Sequence, residues 1–412
     1  MDKFEYIEHR KKLFEYLDNN SMLISFAPKE GEDKYNPCRN FFYTTGIKES
    51  RDIVVLIKTK ESKCMTFLFI KPYDPVAEKW VGRGLNKEEA KEISGIENIN
   101  YIDNFDNWFM NNVKDGLNLY LDINRAEPDD PLSFVETFAK SVLEKYPFVQ
   151  IRQGRDIFKH ARTIKTQNEI EEIKKAIHIT RLGIEELMKH AKAGMYEYQL
   201  ESYFDQAIKF NGANGYAFDT IAASGKNGCC LHYSENKDKI EENSLILFDL
   251  GSTYNYYCSD ISRTFPVNGK FSDRQKQIYN IVLKGQELMF NTMKPGITLR
   301  ECNQILVKYY EEELLKIGLI KNKDEVEKYY FHGVSHHLGL DCHDLCDYTP
   351  LKEGSVVSNE PGLYIAEENI GIRIEDDVLI TKDGCVCLSS EILKKPEDIE
   401  KFMKENNIYL NK

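Results

Sequence analysis

Four carboxylates in two similar settings are the residues of this chain best placed to do chemistry. In SLILFDLGSTYNYYCSDISRTF, residues 244–265, Asp249 ends an apolar run and Asp260 lies on the run that returns. A strand, a tight polar turn and a second strand would set these two carboxylates side by side. SVVSNEPGLYI and NIGIRIEDDVLI, within residues 355–380, repeat the strand–loop–strand form, with Glu360 on the first strand and Glu375 on the second. Arg373 stands two residues before Glu375 and so shares its face of the strand. Between these stretches, FHGVSHHLGLDCHD (331–344) gathers four of the nine histidines: His332, His336, His337 and His343. The glycines around them suit close backbone approaches rather than a regular helix.

Four carboxylates buried together would repel one another, raise each other's pKa values and destabilise the sheet that carries them. Two divalent cations supply the compensating charge, and one imidazole adds a neutral ligand. An oxygen-rich set with a single histidine suits Mn²⁺, Co²⁺, Fe²⁺ or Zn²⁺ and not a thiolate zinc site. Two such ions roughly 3.5–4 Å apart can hold a bridging water and lower its pKa toward ~7. Taken singly, each acid has an ordinary reading as a solvated strand residue, one of 67 in the chain. The ordered set Asp–Asp–His–Glu–Glu is what carries the metal reading. His9, His160, His178, His190 and His337 read as surface or packing residues. Cys342 and Cys346 flank His343, but two further ligands at finger-like spacing are missing, which argues against a structural zinc site.

The elements that must position these groups are legible in outline. The first ~150 residues read as an α/β domain. Strands are expected at 21–27, 52–58, 63–70 and 117–123, and a helix over 131–146 with Phe134, Phe138, Val142 and Leu143 on one face. A boundary near Gly154–Lys165 gives domains 1–160 and 161–412. Capping boxes at Thr166/Glu169, Ser272/Gln275 and Thr298/Glu301 start three helices. The strand-like runs between and after them make the second domain α+β, with antiparallel strands apart from the helices.

The chain's 412 residues suit two domains, and its 42% apolar and 30% charged composition is that of a soluble globular protein. A formal net charge of -12 argues against non-specific nucleic-acid binding. No apolar run approaches the ~20 residues that span a bilayer. The charged, helix-like MDKFEYIEHRKKLFEYLDNN lacks the apolar centre of a signal peptide. Ten cysteines without a disulfide-like framework fit a reducing compartment, so a cytoplasmic protein is expected.

Residues from about Ile164 to Ser389 resemble the pita-bread metallopeptidases, the family of methionine aminopeptidase, prolidase and aminopeptidase P. The aminopeptidase P branch resembles them most. The stretches concerned are GMYEYQLE (194–201), NGCCLHYSEN (227–236), FDLGSTYNYYCSDISRTFPVNGKF (248–271), HGVSHHLGLDCHD (332–344), EPGLYI (360–365) and GIRIEDD (371–377). RNFFYTTGI (39–47) resembles that branch's creatinase-type N-terminal domain. The resemblance implies a curved antiparallel sheet with flanking helices, preceded by the α/β domain. It implies metal ligands at Asp249, Asp260, His336, Glu360 and Glu375. Asp260 and Glu375 would bridge two ions, Asp249 would complete one site, and His336 and Glu360 the other. His232, His332, His343 and Arg373 match residues that surround the metals.

The implied activity is release of the N-terminal residue from peptides with proline second, by attack of a hydroxide held between two ions, Mn²⁺ foremost. Glu360 would carry the proton, and His343 would hydrogen-bond the scissile carbonyl. His232 and His332 would shape the proline site and hold the leaving peptide. Arg373 would either partner Glu375 or a neighbouring carboxylate, or touch the substrate. The substrate amine would bind near Asp249. Tyr364 and Trp80 are candidate walls of the proline pocket, with a buried structural role as the alternative for Trp80. The nearest rival is a prolidase acting on Xaa-Pro dipeptides, against which the SHHLGLDCHD and LHYSEN stretches weigh. A non-catalytic protein on the same fold would have lost ligands that are all present here. Family resemblance also implies a homodimer or homotetramer.

Overall fold

The structure is a computed structural model describing residues 1–28, 38–124 and 129–410. The chain divides into two compact units, Met1–Arg162 and Thr163–Lys412.

The first unit is built on one mixed sheet. Its strands are β1 (Ser21–Phe26), β2 (Ile53–Lys58), β3 (Cys64–Ile70), β4 (Asn98–Tyr101), β5 (Asn118–Leu121) and β6 (Gln150–Gln153), in the spatial order β4-β3-β2-β1-β5-β6. The contiguous segments β1, β2 and β3 pair antiparallel, whereas β4, β5 and β6 add in parallel. Helices α1 (Lys3–Tyr16), α2 (Arg39–Thr45), α3 (Pro75–Val81), α4 (Lys87–Ser94), α5 (Phe105–Asn112) and α6 (Phe134–Lys145) accompany it. The four expected strands are β1, β2, β3 and β5, and the expected helix is α6. Their apolar runs are continuous because both faces of the central strands are covered. Met22, Ile24, Val55 and Phe69 pack on Phe105 and Phe109 of α5 and Val142 of α6. The edge strands β4 (NINY) and β6 (QIRQ) went unseen in the sequence, since a short, half-exposed edge strand carries little apolar signal.

Helix α7 (Arg155–Thr163) ends at the division between the units. In the second unit the helices are α8 (Gln167–His190), α9 (Glu197–Phe210), α10 (Asp273–Thr292), α11 (Leu299–Lys316) and α12 (Pro396–Asn406). All three expected capping boxes form, at the starts of α8, α10 and α11. The α8 stripe of Ile170, Ile173, Ile177, Thr180, Ile184 and Leu187 is buried.

The strands of this unit are β7 (Gly215–Tyr216), β8 (Ile221–Ser224), β9 (Leu245–Leu250), β10 (Ser252–Tyr254), β11 (Tyr257–Cys258) and β12 (Ile261–Pro266), then β13 (Val356–Asn359), β14 (Gly362–Ile365), β15 (Ile370–Arg373), β16 (Asp376–Ile380) and β17 (Cys385–Cys387). Every pairing among them is antiparallel. Two hairpin systems matter for function: β9 with β12, and the pair β13/β16 continued by β14/β15.

The link between β9 and β12 is not the simple tight turn read from the sequence. It extends into a small second hairpin, β10/β11, whose tip residues Asn255 and Tyr256 have φ of 45° and 67°. A two-residue turn with both φ values positive matches the twist of its flanking strands, and asparagine tolerates that region. Helix α8 anchors this excursion. The Ser252 amide donates to Thr180 Oγ1 (2.9 Å), the Ser252 hydroxyl donates to the Ala176 carbonyl (2.9 Å), and Thr180 Oγ1 lies 2.6 Å from Ser259 Oγ.

A second tie joins β15 to the turn of 3₁₀ helix Gly225–Cys229. A Cβ on Gly371 would stand 2.0 Å from the Gly228 carbonyl oxygen, so two backbones touch where a side chain would intervene. Gly371→Ala is therefore expected to destabilise the second unit by about 1–3 kcal/mol, the usual cost of overpacking. Gly384→Ala, where a Cβ meets nothing within 4 Å, should change stability by less than about 0.5 kcal/mol. Equal melting temperatures for the two variants would show that the contact is not tight.

Candidate metal centre

The β9/β12 register pairs Asp249 with Ser262 and Leu250 with Ile261. Asp260 lies just before β12, two residues from Ser262, so it joins Asp249 and Ser262 on one face as a diagonal neighbour. The other pair of acids departs from the sequence reading. Glu360 and Glu375 are not within strands but at the breaks between β13 and β14 and between β15 and β16. The pairing Asn359↔Asp376 on one side and Gly362↔Arg373 on the other sets them opposite each other. Their amides leave the hairpin ladder: Glu360 donates to the Val334 carbonyl (3.0 Å) and Glu375 to the Ser262 carbonyl (3.1 Å). Glu375 is thereby bound directly to the strand of the first acid pair. Arg263, itself fully buried, adds a clamp by donating to the Glu375 carbonyl (2.5 Å) and pairing with Asp376 (2.7 Å).

The histidine loop runs beside β13. The Leu338 amide donates to Val356 O (3.0 Å), the Ser358 amide to His336 O (2.9 Å), and the His336 amide to Ser358 Oγ (3.0 Å). This aims His336 at the acids, with Nε2 3.3 Å from Asp260 Oδ2 and 3.5 Å from Glu360 Oε1. Donor atoms of Asp260, His336 and Glu375 lie within 4.8 Å of one another. His337 points elsewhere and is buried, as its packing role required.

The electrostatics describe a place that demands positive charge. Burial pushes the Asp249 carboxyl up although Arg373 opposes it, raises Glu360 to about 7, and drives Glu375 well above its ordinary value. Burial works against a charge on His336, but Asp260 and Glu360 outweigh it and lift the imidazole to about 9. Protons are thus drawn to the positions where cations would sit. Asp249 Oδ1 is buried with no hydrogen-bond partner, an acceptor that a cation would satisfy. Converging oxygen donors, one imidazole and an orphaned acceptor fit two divalent ions held by Asp249, Asp260, His336, Glu360 and Glu375.

Around this floor the structure orders the remaining candidates. Arg373 is buried and takes the carboxylate-partner role, with Asp249 rather than Glu375 as its partner: Nη2 donates to Asp249 Oδ2 (2.7 Å) and Nε to Ser262 Oγ (2.8 Å). Its Nη1 donates to the Tyr364 hydroxyl (3.0 Å), which lies 2.8 Å from His332 Nε2. His332 Nδ1 is 2.7 Å from the Gly333 carbonyl, so both ring nitrogens of His332 are engaged. Tyr364, 2% exposed, stands behind the cleft wall as a tether and not on it. His343 lies beside His336, ring centroids 4.1 Å apart and planes tilted by 33°, and is exposed, as is His232. Arg373, His332, His343 and His232 line a cleft of about 690 Å³ that all five proposed ligands also line. Trp80 belongs to α3 of the first unit and is 84% exposed, which removes the buried structural alternative.

Several site residues were missed in the sequence. Ser262 donates to Glu375 Oε2 (2.8 Å) and Ser358 to Glu360 Oε1 (3.2 Å), each holding an acid in place. Ser262 stands two residues from Asp260 and Ser358 two residues from Glu360, a spacing that puts each on its acid's side of an extended chain and was the available signal. Asp377 accepts from the Asp260 amide (3.2 Å). Phe218, Ile221 and Leu231 give the cleft an apolar wall; Phe218 and Leu231 lie in irregular segments and Ile221 starts the short strand β8, so no periodic pattern marks them.

The Metallopeptidase family M24 profile matches residues 171–382, and the profile of the aminopeptidase P N-terminal domain matches residues 6–120. The Xaa-Pro aminopeptidase of Escherichia coli (strain K12) is 33% identical, with 97% of each chain covered. A solved structure from Bacillus anthracis is 45% identical with a TM-score of 0.95, covering 99% of this chain and 100% of that one. Aminopeptidase P from E. coli, solved with the inhibitor Pro-Leu, is 31% identical with a TM-score of 0.89, covering 98% and 99%. With donors, fold and sequence in agreement, the chain belongs to metallopeptidase family M24 and carries the aminopeptidase P type of N-terminal domain.

Proposed function

We propose that this protein is a dinuclear metal-dependent Xaa-Pro aminopeptidase, releasing the first residue of peptides whose second residue is proline. The observation that carries this reading is the convergence of five ligand donors on the floor of a cleft with an apolar, histidine-bearing wall. Asp249, Asp260, His336, Glu360 and Glu375 would together hold the ions. When bound, the ions supply Lewis-acid polarisation of the scissile carbonyl and activate water at neutral pH.

The chain's own groups do the rest. Glu360 accepts the proton of the attacking water and passes it to the proline nitrogen, a task suited to a carboxyl steadied at Oε1 by Ser358. His343, whose ring lies beside that of His336, donates an N–H to the carbonyl oxygen. Arg373 holds Asp249 by Oδ2 alone, which leaves Oδ1 for an ion and the free substrate amine and so favours exopeptidase action. Proline offers no N–H and a fixed φ, so it is read by shape. Phe218, Leu231, His232 and His332 provide that shape, and His332 contributes ring surface because its nitrogens are taken.

Mn²⁺ is the proposed ion, on the strength of four carboxylates and one imidazole. A homodimer or homotetramer is proposed on family resemblance. A cytoplasmic location is proposed because no disulfide joins the cysteines of the described residues.

Mn²⁺-loaded protein should release the first residue of a Xaa-Pro-Xaa tripeptide and leave a Xaa-Pro dipeptide largely intact, as read by mass spectrometry. Cleavage of the dipeptide alone would make it a prolidase. Glu360→Gln should abolish tripeptide turnover while the circular dichroism spectrum is retained; near-parental rates at verified metal content would remove Glu360 as proton carrier. Metal should also stabilise the fold: at about 100 times its dissociation constant an ion adds about 2.7 kcal/mol. Mn²⁺ should therefore raise the melting temperature, EDTA should reverse the rise, and Asp260→Asn should lose most of it. A melting temperature indifferent to Mn²⁺ and EDTA would contradict the metal centre.

A further inference from the structure

Among the described residues, Cys342 is the one thiol that lines the metal cleft. Its Sγ donates to Asp260 Oδ2 at 2.8 Å, the same oxygen that lies 3.3 Å from His336 Nε2. Donor atoms of His336, Cys342 and His343 all lie within 4.8 Å of one another, and the loop Gly339–Asp341 folds back to bring them together. In a tetrahedral zinc site the ligand atoms are roughly 3.3–3.6 Å apart, given metal–nitrogen bonds near ~2.0 Å and metal–sulfur bonds near ~2.3 Å. The exposed His343 has room to make up the difference by side-chain rotation. Asp260 Oδ2, already in reach of both Sγ and Nε2, completes a fourth position.

Two nitrogens, one sulfur and one oxygen form a softer set than the five oxygen-dominated ligands of the catalytic floor. We propose that His336, Cys342 and His343 form a second metal position, for a thiophilic divalent cation such as Zn²⁺ or Cd²⁺, that competes with the catalytic centre and inhibits it. The inference rests on the reading of Asp260 and His336 as catalytic ligands. On binding, the Cys342 thiol loses its proton to solvent and a sulfur–metal bond forms, with no change in oxidation state. Inhibition follows from the shared groups: the ion draws His336 from the catalytic pair and removes His343 from the substrate carbonyl. A hard ion such as Mn²⁺ gains little from sulfur and leaves the position empty, so the same cleft works with one class of metal and is blocked by the other.

The test is titration of Mn²⁺-loaded protein with Cd²⁺, reading the ultraviolet sulfur-to-cadmium charge-transfer band and tripeptide turnover together. The parent should gain one band component that Cys342→Ser and Cys342→Val both lack, while contributions from the exposed Cys64 and Cys230 persist. Half-inhibition, relative to each protein's own rate, should need at least about tenfold more Cd²⁺ in Cys342→Ser than in the parent, and His343→Ala should need at least about tenfold more Cd²⁺ to develop the band. An identical band and identical inhibition in the parent and both cysteine variants would overturn the proposal. The charge-transfer band does not depend on peptidase activity. A band lost with Cys342 in a protein that cuts no peptide would sink the aminopeptidase reading and leave this one standing.

Discussion

Like charges are the constraint on which the second unit turns. Asp249, Asp260, Glu360 and Glu375 converge on the floor of the cleft, two of them buried and two partly so, and such a cluster is stable only if something positive sits among it. Among the described residues, Arg373 is the permanent cation paired with one of these carboxylates, at the edge, on Asp249. The centre is left to protons or metal ions, which is why burial raises Asp249, Glu360 and Glu375 and why His336 is drawn to its charged form. The backbone around the acids bends to the same end. Glu360 and Glu375 fall at breaks in their strands because their amides bond outward, to the histidine loop and to β12, instead of across the hairpin.

From that floor the order spreads outward along hydrogen bonds. Arg373 donates to Tyr364, Tyr364 meets His332, and His332 ends on the Gly333 carbonyl. A single buried guanidinium therefore sets both a metal-side carboxylate and the ring on the substrate side. The serines Ser262 and Ser358 do the same for Glu375 and Glu360 at shorter range. Neutral hydroxyls serve here because further cations would compete with the ions the site is built to hold.

What the sequence made legible was whatever depends on local pattern. The capping boxes at Thr166, Ser272 and Thr298 each begin a helix because side chain and backbone satisfy one another within four residues. The runs at β1, β2, β3 and β5 are apolar because both their faces are covered. Polar β4 and β6 take their strand form from a neighbour's hydrogen bonds, which no local residue announces. Within Glu375-Asp-Asp377 the three acids look alike in sequence, yet strand alternation sends Asp376 to Arg263 and Lys394, and Asp377 to the Asp260 amide. Of Cys342 and Cys346, which flank His343 in the sequence, only Cys342 has its donor atom grouped with those of His343 and His336. Asp249 and Asp260 were recognisable as partners, but the β10/β11 excursion between them rests on α8, far away in sequence.

The contact between Gly228 and Gly371 bears on how such a cleft can change. Gly228 leads into Leu231 and His232 on the apolar wall, and Gly371 leads into Arg373 and Glu375 on the acidic one. Main chain rests on main chain at that point, so the spacing of the two walls is a fixed dimension, like the throat of a gauge, insensitive to which side chains are mounted on either side. Substitutions at Phe218, Leu231 or His232 can therefore retune which peptides fit while the distance to the acids holds constant. Selectivity and catalysis become separately adjustable, because the backbone, and not any evolving side chain, keeps them in register.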